Sequence, residues 1–308
     1  MITPEKDVEN LRNALLSKNA DNIINIISKR TYSQRNILIN KYKTTYNKDL
    51  VKEINDCLSY DNDLTELTSL LFLDPITFDC QTLYSSFNQG IKGISTIIEI
   101  ISTRPSDILK KIMSTYSTLY KNKTIVNDIE KLKLSENGEI IRNILVSFLQ
   151  KEKNENNSPD LEICQNLALK LKNEQIKKWF NVNSVLYQII INKSQIEIKY
   201  ISEYYKKLVG YGIIETIIKE INEDEKFYLI DIIYAISSPN KYFAEKINKA
   251  IKDKNENIIS RIIITRKEYD LEQIKESYFH LYNNTLINDL RQIFSGDYFK
   301  LLSNMVGI

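Results

Sequence analysis

The sequence predicts an all-α protein built from four copies of one helical unit. Only 7 of its 308 residues are glycine and 5 are proline, which leaves few positions for the turns that connect strands. Apolar residues recur instead at the three- and four-residue spacing of amphipathic helices. A run of isoleucines, a basic residue and a tyrosine twelve positions later occurs four times. Such a fixed internal repeat is stronger evidence of architecture than any local motif.

The four copies of this pattern share one register. The basic residues are Arg30, Arg104, Lys193 and Arg266, and the tyrosines are Tyr42, Tyr116, Tyr205 and Tyr278. Three apolar residues precede each basic residue at positions −7, −4 and −3, on one face of a helix, so we expect this second helix of each unit to be nearly buried. We predict that the basic residue caps the carbonyl end of that helix and that the tyrosine is a core side chain.

The first unit resolves into five short helices, each ended by polar or helix-breaking residues. We predict helices at Lys6–Ser17, Asn22–Ser28, Tyr32–Tyr46, Lys48–Leu58 and Asp63–Phe72. Prolines at 75, 159 and 239 mark unit boundaries, since proline suits the first turn of a helix. The predicted units are residues 1–74, 75–150, 160–238 and 239–308, with a polar linker at residues 151–159.

Composition excludes several classes of function. The 42 basic and 40 acidic residues nearly balance, at a formal charge of +2, which argues against a dedicated nucleic-acid binder. Three cysteines are too few for a disulfide framework, and their odd number suits a reducing compartment. A single histidine cannot supply a His-rich metal site. The sequence contains no nucleotide-binding or hydrolase fingerprint. We therefore expect a non-enzymatic cytoplasmic protein whose contact with any membrane is peripheral.

The repeat pattern resembles the annexin family over nearly the whole chain, in a divergent four-repeat form similar to the alpha-giardin type. Four copies of about 70 residues with a longer connection after the second carry the resemblance. The last repeat is the most similar, through Tyr242-Phe-Ala-Glu, the segment Arg266–Lys275 and Ser295-Gly-Asp-Tyr298. The resemblance implies a curved disc that binds acidic phospholipid, usually through Ca²⁺, as a monomer in solution that can assemble laterally on the membrane.

Annexin calcium loops resemble Lys-Gly-x-Gly-Thr followed about 40 residues later by a carboxylate. All four repeats of this chain depart from that pattern, the third least of all. The first loop, Leu16–Asp21, is short and lacks glycine, and Cys57 occupies the acidic position. The fourth loop, Lys252–Glu256, is similarly short and is paired with Ile293. We expect both sites to be lost. The second loop keeps Gly90 and Gly93, but Lys133 takes the acidic position, so that only Glu136 or Glu139 could replace it.

The third repeat retains the most of a calcium site. Lys177-Lys-Trp179 matches the family's Lys-Trp-Gly-Thr loop, and Glu220 falls on the acidic position. In that register the ligands are the carbonyls of Gln175, Lys178 and Phe180 together with the Glu220 carboxylate. Because Phe180 replaces glycine and only one carboxylate is present, we expect weak binding, in the ~10⁻⁴–10⁻³ M range.

The same loop supplies the predicted membrane contacts. Trp179 is the single tryptophan, and the sequence allows two roles for it: a partly buried anchor, or an interfacial side chain beside Lys177 and Lys178. The lysines would favour anionic lipid. The glycine loop at Gly90 and Gly93 is the second predicted contact.

Two functions are therefore compatible with the sequence. One is peripheral binding to acidic phospholipid, dependent on Ca²⁺ at most through the degenerate third and second sites. The alternative is a calcium-independent protein–protein scaffold, for example for cytoskeletal filaments, for which the altered first and fourth loops are the motivation.

Overall fold

The computed structural model describes residues 3–121, 123–135, 138–152, 158–222 and 224–307, and over this part of the chain it contains α-helices and no strand. The first predicted repeat holds α1 (Pro4–Leu16), α2 (Ala20–Ser28), α3 (Tyr32–Tyr46), α4 (Leu50–Cys57) and α5 (Asn62–Phe72). The second holds α6 (Pro75–Asn88), α7 (Ile94–Thr103), α8 (Ser106–Leu119), α9 (Ile125–Glu130) and α10 (Glu139–Gln150). The all-α prediction is confirmed, and the predicted helices of the first repeat agree with the observed ones to within two residues.

The second half of the chain repeats this order of helices. The third repeat holds α11 (Leu161–Asn173), α12 (Val185–Asn192), α13 (Gln195–Val209), α14 (Ile213–Glu220) and α15 (Lys226–Ser237). The fourth holds α16 (Pro239–Lys252), α17 (Glu256–Arg266), α18 (Leu271–Tyr282), α19 (Leu286–Ile293) and α20 (Gly296–Val306). Most of the predicted linker, at residues 153–157, lies outside the described residues. No described helix is both long enough and apolar enough to cross a membrane.

Side-chain caps fix where many of these helices begin. Thr31 and Gln34 form a capping box at the start of α3, and Ser194 and Glu197 form the same motif at the start of α13. Each box satisfies two backbone N–H groups that have no partner inside the helix. Single caps begin other helices, such as Asn19 before α2. The short helices are therefore specified locally as well as by packing.

The second helix of each repeat is buried, as predicted. Of the twelve apolar residues at the −7, −4 and −3 positions, all but Ile26 are at most 3% exposed. The four repeat tyrosines are also at most 3% exposed. In three repeats a second tyrosine, four residues later, contacts the first with ring centroids 4.9–5.0 Å apart.

Each repeated basic residue pairs with a carboxylate, a partner that the sequence analysis did not predict. Arg30 donates two hydrogen bonds to Asp7, at 2.7 and 2.8 Å. Arg104 pairs with Asp79, Lys193 with Glu197, and Arg266 with Asp270. The arginine pairs are bidentate, an arrangement that fits the planar guanidinium.

The helices form two compact units. One unit consists of residues Met1–Pro75 and Phe243–Ile308, and in it α2 contacts α20. The other is the continuous segment Ile76–Tyr242, in which α7 contacts α15. The first and fourth repeats thus share one core, and the second and third repeats share the other.

Candidate functional site

The first loop of the third repeat lies between α11 and α12 and contains a short 3-10 turn at Ile176–Lys178. Hydrogen bonds close it: Lys178 N donates to Gln175 O, and Asn181 N donates to Lys178 O, both at 2.8 Å. Two of the predicted calcium ligands therefore already accept one bond each, and each carbonyl oxygen keeps a second lone pair. The side chains of Lys177 and Lys178 are exposed.

Trp179 is fully buried, at 0% exposure, which is close to the buried-anchor role that the sequence allows and differs from the interfacial one. Its ring lies 6.0 Å from that of Tyr205, edge to face, and its Nε1 has no hydrogen-bond partner. The reason is physical: a large indole next to a core tyrosine gains more from burial than its single N–H loses. Contact between Trp179 and a lipid would require this loop to open.

Glu220 is the last residue of α14, and its carboxylate is exposed. Burial, with smaller contributions from Tyr211 and Glu220, raises the pKa of Tyr205. Glu220 therefore lies near Tyr205, the residue that contacts Trp179. Among the described residues, no three His, Cys, Asp or Glu side chains converge to hold a metal ion. A calcium site here would depend on backbone carbonyls and this one carboxylate.

The first loop of the second repeat keeps its two glycines for different reasons. Gly90 has a φ of +60°, in the left-handed region, and begins a 3-10 turn that ends at Gly93. Gly93 is buried, and a Cβ added to it would lie 2.0 Å from the carbonyl oxygen of Ser86. The close approach of the Ser86 backbone therefore requires glycine at position 93 and buries it, a position that differs from the predicted membrane contact. The exposed residues of this loop are Gln89, Ile91 and Lys92.

In the second repeat, no carboxylate among the described residues occupies the acidic position that a calcium site would need. Lys133 is exposed at the acidic position, and Glu139 is exposed at the start of α10. Glu136 lies outside the described residues. A cation at the acidic position opposes the binding of Ca²⁺.

Substitution of the two glycines should separate their roles. We expect Gly93→Ala to lower the free energy of unfolding by about 3 kcal/mol, because backbone must move to admit the Cβ. Gly90→Ala has open space around the Cβ and should cost about 1–2 kcal/mol, from its left-handed backbone alone. Urea unfolding followed by circular dichroism measures both, and equal losses would contradict the packing role of Gly93.

The first loops of the first and fourth repeats are short and built alike. Lys18 and Lys254 adopt left-handed backbone, with φ of 54° and 52°. The next residues, Asn19 and Asn255, donate from their backbone N to Ala14 O and Ala250 O at 2.8 Å, and their side chains cap the following helices. At the acidic positions Cys57 is half-buried and Ile293 is partly exposed. These loops end one helix and begin the next, and each carries an exposed lysine.

A tyrosine–carboxylate pair next to these loops was missed by the sequence analysis. Tyr42 donates to Glu53, Tyr116 to Asp128 at 2.7 Å and Tyr278 to Asp289 at 2.6 Å. In the third repeat Thr216 donates to Tyr205 instead, at 3.3 Å. The available signal was an acidic residue eleven or twelve positions after the repeated tyrosine.

The tyrosine hydroxyls stay protonated in these pairs. Burial and the hydrogen bond to Glu53 raise the pKa of Tyr42 to about 12. Burial, followed by the bonds to Asp128 and Asp289, raises the pKa of Tyr116 and Tyr278 further. Each hydroxyl therefore acts as a neutral donor that holds a carboxylate at the loop end of its repeat.

Comparison with known proteins identifies relatives along the whole chain. The annexin family model matches residues 6–64 and 242–305, within the first and fourth repeats. Human annexin A11 is 26% identical over 99% of this chain, and mouse annexin A13 is 28% identical over 97% of this chain and 93% of its own length. The chain spans about 60% of the length of annexin A11.

The fold is that of solved annexin structures. Annexin III superposes with a TM-score of 0.86 at 23% identity, covering 99% of this chain and 94% of its own. Calcium-bound alpha-1 giardin superposes with a TM-score of 0.79 at 18% identity, covering 99% of both chains. In its four repeats, its buried isoleucine helices and its fold, the chain is therefore similar to annexins over 99% of its length.

Proposed function

We propose that this protein binds acidic phospholipid membranes peripherally, with Ca²⁺ held weakly by the third repeat and, at most, by the second. Similarity to annexins in sequence and in fold supports calcium-dependent phospholipid binding in general. The observation that carries the proposal for this chain is that the third repeat exposes two lysines on its first loop, Lys177 and Lys178, and also exposes a carboxylate, Glu220, at the family's acidic position.

The proposed calcium ligands are the carbonyls of Gln175, Lys178 and Phe180 and the carboxylate of Glu220. Ca²⁺ prefers six to eight oxygen ligands, so water and a lipid phosphate would complete the shell. Calcium-bound structures of annexin (Sm)1 and alpha-1 giardin share this fold. With a single carboxylate, the affinity without lipid is expected in the ~10⁻⁴–10⁻³ M range.

Cations on the exposed loops support attraction to an anionic surface. Each lysine near such a surface contributes about 1 kcal/mol, and the third loop presents Lys177 and Lys178. The second loop adds Lys92 beside Ile91, which is 55% exposed. We propose that these loops, rather than Trp179 in its buried position, make the first membrane contact, and that the protein acts in the cytoplasm at the membrane surface. Annexins are in general non-enzymatic membrane-binding proteins, and we propose no reaction for this chain.

The test is co-sedimentation with phosphatidylserine vesicles across a calcium titration. We expect Glu220→Gln to raise the calcium concentration at half-maximal binding at least tenfold, since the variant loses the only carboxylate of the site. Glu203→Gln is the matched control, because Glu203 is also exposed in the third repeat, on α13. Binding that responds to calcium equally in all three proteins would refute the proposed ligand set.

A calcium-independent protein scaffold is the second candidate. It is supported by the first and fourth loops, which lack glycine and whose asparagines serve as helix caps. A cytoskeletal protein is the proposed partner in that case. Failure of the wild-type protein to sediment with vesicles at any calcium concentration, with retention of a filament protein in calcium-free buffer, would favour this function over the first.

A further inference from the structure

The first repeat contains a cavity of about 280 Å³ at its loop end. Three cations, Arg12, Lys18 and Lys48, line it, together with the carboxylates of Glu53 and Asp56. Leu16 also lines the cavity and is 66% exposed. This is the repeat in which Cys57 has replaced the calcium carboxylate, so fixed positive charge occupies the place where a divalent cation is expected in the family.

Two of the cations are held in place by one carboxylate. Arg12 Nη1 donates to Glu53 Oε2 at 3.1 Å and to the hydroxyl of Tyr42 at 3.2 Å, while Lys48 Nζ donates to Glu53 Oε1 at 2.6 Å. The guanidinium also lies 5.4 Å from the ring centre of Tyr46. These bonds use one nitrogen of Arg12 and one proton of Lys48, so Nε and Nη2 and two ammonium protons remain as donors to a ligand.

The fourth repeat contains the same network with both cations replaced. Adding 236 to the residue numbers of the first repeat gives Tyr278 for Tyr42, Asp289 for Glu53, Asn248 for Arg12 and Asn284 for Lys48. Tyr278 and Asn284 each donate to Asp289 at 2.6 Å, and Tyr278 also donates to Asn248 at 3.4 Å. Uncharged amides therefore suffice to build the tyrosine–carboxylate network. The two cations of the first repeat are not needed for its architecture.

Lys18 adds a third charge on a fixed backbone. Its left-handed conformation is the same as that of Lys254 in the fourth repeat, and both side chains are exposed. Burial raises the pKa of the Cys57 thiol, and the positive charge of Lys18 lowers it by a smaller amount. The Lys18 ammonium therefore lies near Cys57 in the cavity wall. Three cations against two carboxylates leave the cavity with net positive charge.

We propose that this cavity binds a phosphate group directly, without calcium, through Arg12, Lys18 and Lys48. A phosphate monoester is the chemistry that fits best, because several donors converge on one small anion and Arg offers it a fork of two N–H groups. The exposed Leu16 at the rim would face the acyl region if the phosphate belongs to a lipid headgroup. The inference extends the proposed membrane function to a second site, in a repeat that we expect to have lost its calcium.

The experiment compares the wild-type protein with Lys18→Asn, Lys48→Asn and the double variant in EGTA. Asparagine tolerates left-handed backbone, and at position 48 it reproduces the residue that the fourth repeat carries. The matched control is Lys254→Asn, which removes the same charge from the same backbone conformation. One arm measures sedimentation with phosphatidylcholine vesicles that contain phosphatidic acid, and the other measures titration calorimetry with inorganic phosphate and with glycerol 3-phosphate.

We expect each lysine variant to weaken vesicle binding about fivefold and the double variant about twentyfold, while Lys254→Asn binds like the wild-type protein. Loss of the calorimetric signal in the double variant without any vesicle binding would assign the site to a free phosphate. Wild-type binding in EGTA that all variants retain, or no binding in either arm, would overturn the inference. Calcium-dependent sedimentation with phosphatidylserine in the same protein would show that the proposed membrane function stands independently.

Discussion

Replacing Arg104 with methionine is expected to lower the free energy of unfolding by about 3–5 kcal/mol. Arg104 and Asp79 are each 5% exposed, and the guanidinium donates to both carboxylate oxygens, at 2.8 and 2.9 Å. The substitution would leave the Asp79 charge buried and uncompensated, which costs far more than the pair itself contributes.

An exposed pair in the same unit provides the control for Arg104. Lys110 and Glu152 are bridged at 2.7 Å, but their side chains are 63% and 79% exposed, so Lys110→Met should cost less than about 1 kcal/mol. The double substitution Arg104→Met with Asp79→Leu should recover part of the loss, because it removes the stranded charge. Denaturant midpoints, compared at unchanged m-values, give the loss of unfolding free energy for each of these three variants. Equal losses for Arg104→Met and Lys110→Met would refute the buried-charge argument.

Trp179→Ala is expected to destabilise the protein by about 3–5 kcal/mol, because it empties a fully buried site. The site offers a second, sharper comparison. The Nε1 of Trp179 has no hydrogen-bond partner, so Trp179→Phe keeps much of the apolar volume, removes an unsatisfied donor and should cost clearly less than alanine.

Urea unfolding followed by circular dichroism measures these variants, since each lacks the only tryptophan. Fluorescence of the wild-type protein gives an independent check: a buried indole emits at short wavelength before any lipid is added. A loss below about 1 kcal/mol for Trp179→Ala, or emission at long wavelength in buffer, would contradict the packing of Trp179 against Tyr205.

The periodic features of the sequence determined most of the fold. The isoleucines before Arg104 and the tyrosine after it are buried because helical spacing places them on one face, and this information is local. The same holds for the caps, since Asn19 and Ser194 bond to residues three positions away. Sequence reasoning therefore located the helices and their buried faces.

The features that the sequence analysis did not establish depend on contacts that follow no periodic pattern in the chain. Trp179 directly follows two lysines in the sequence, which suggests a surface position, and its ring partner Tyr205 lies on α13. Gly93 resembles a loop glycine until Ser86 is seen against it. The carboxylate partners of Arg30 and Arg104 are 23 and 25 residues earlier in the chain. None of these pairings has a period, so single-sequence analysis had no basis for finding them.

The division of the chain into two cores sets an order in which they can be completed during synthesis. Residues Ile76–Tyr242 form a core from one continuous segment, whereas α2 must wait for α20, which is synthesised after that whole segment. At about 5–20 residues per second, translation from the end of α2 to the end of α20 takes roughly fifteen to fifty-five seconds. Throughout that interval the isoleucines of α2 lack their final partner, so the core that α2 shares with α20 can be completed only after the core of residues Ile76–Tyr242.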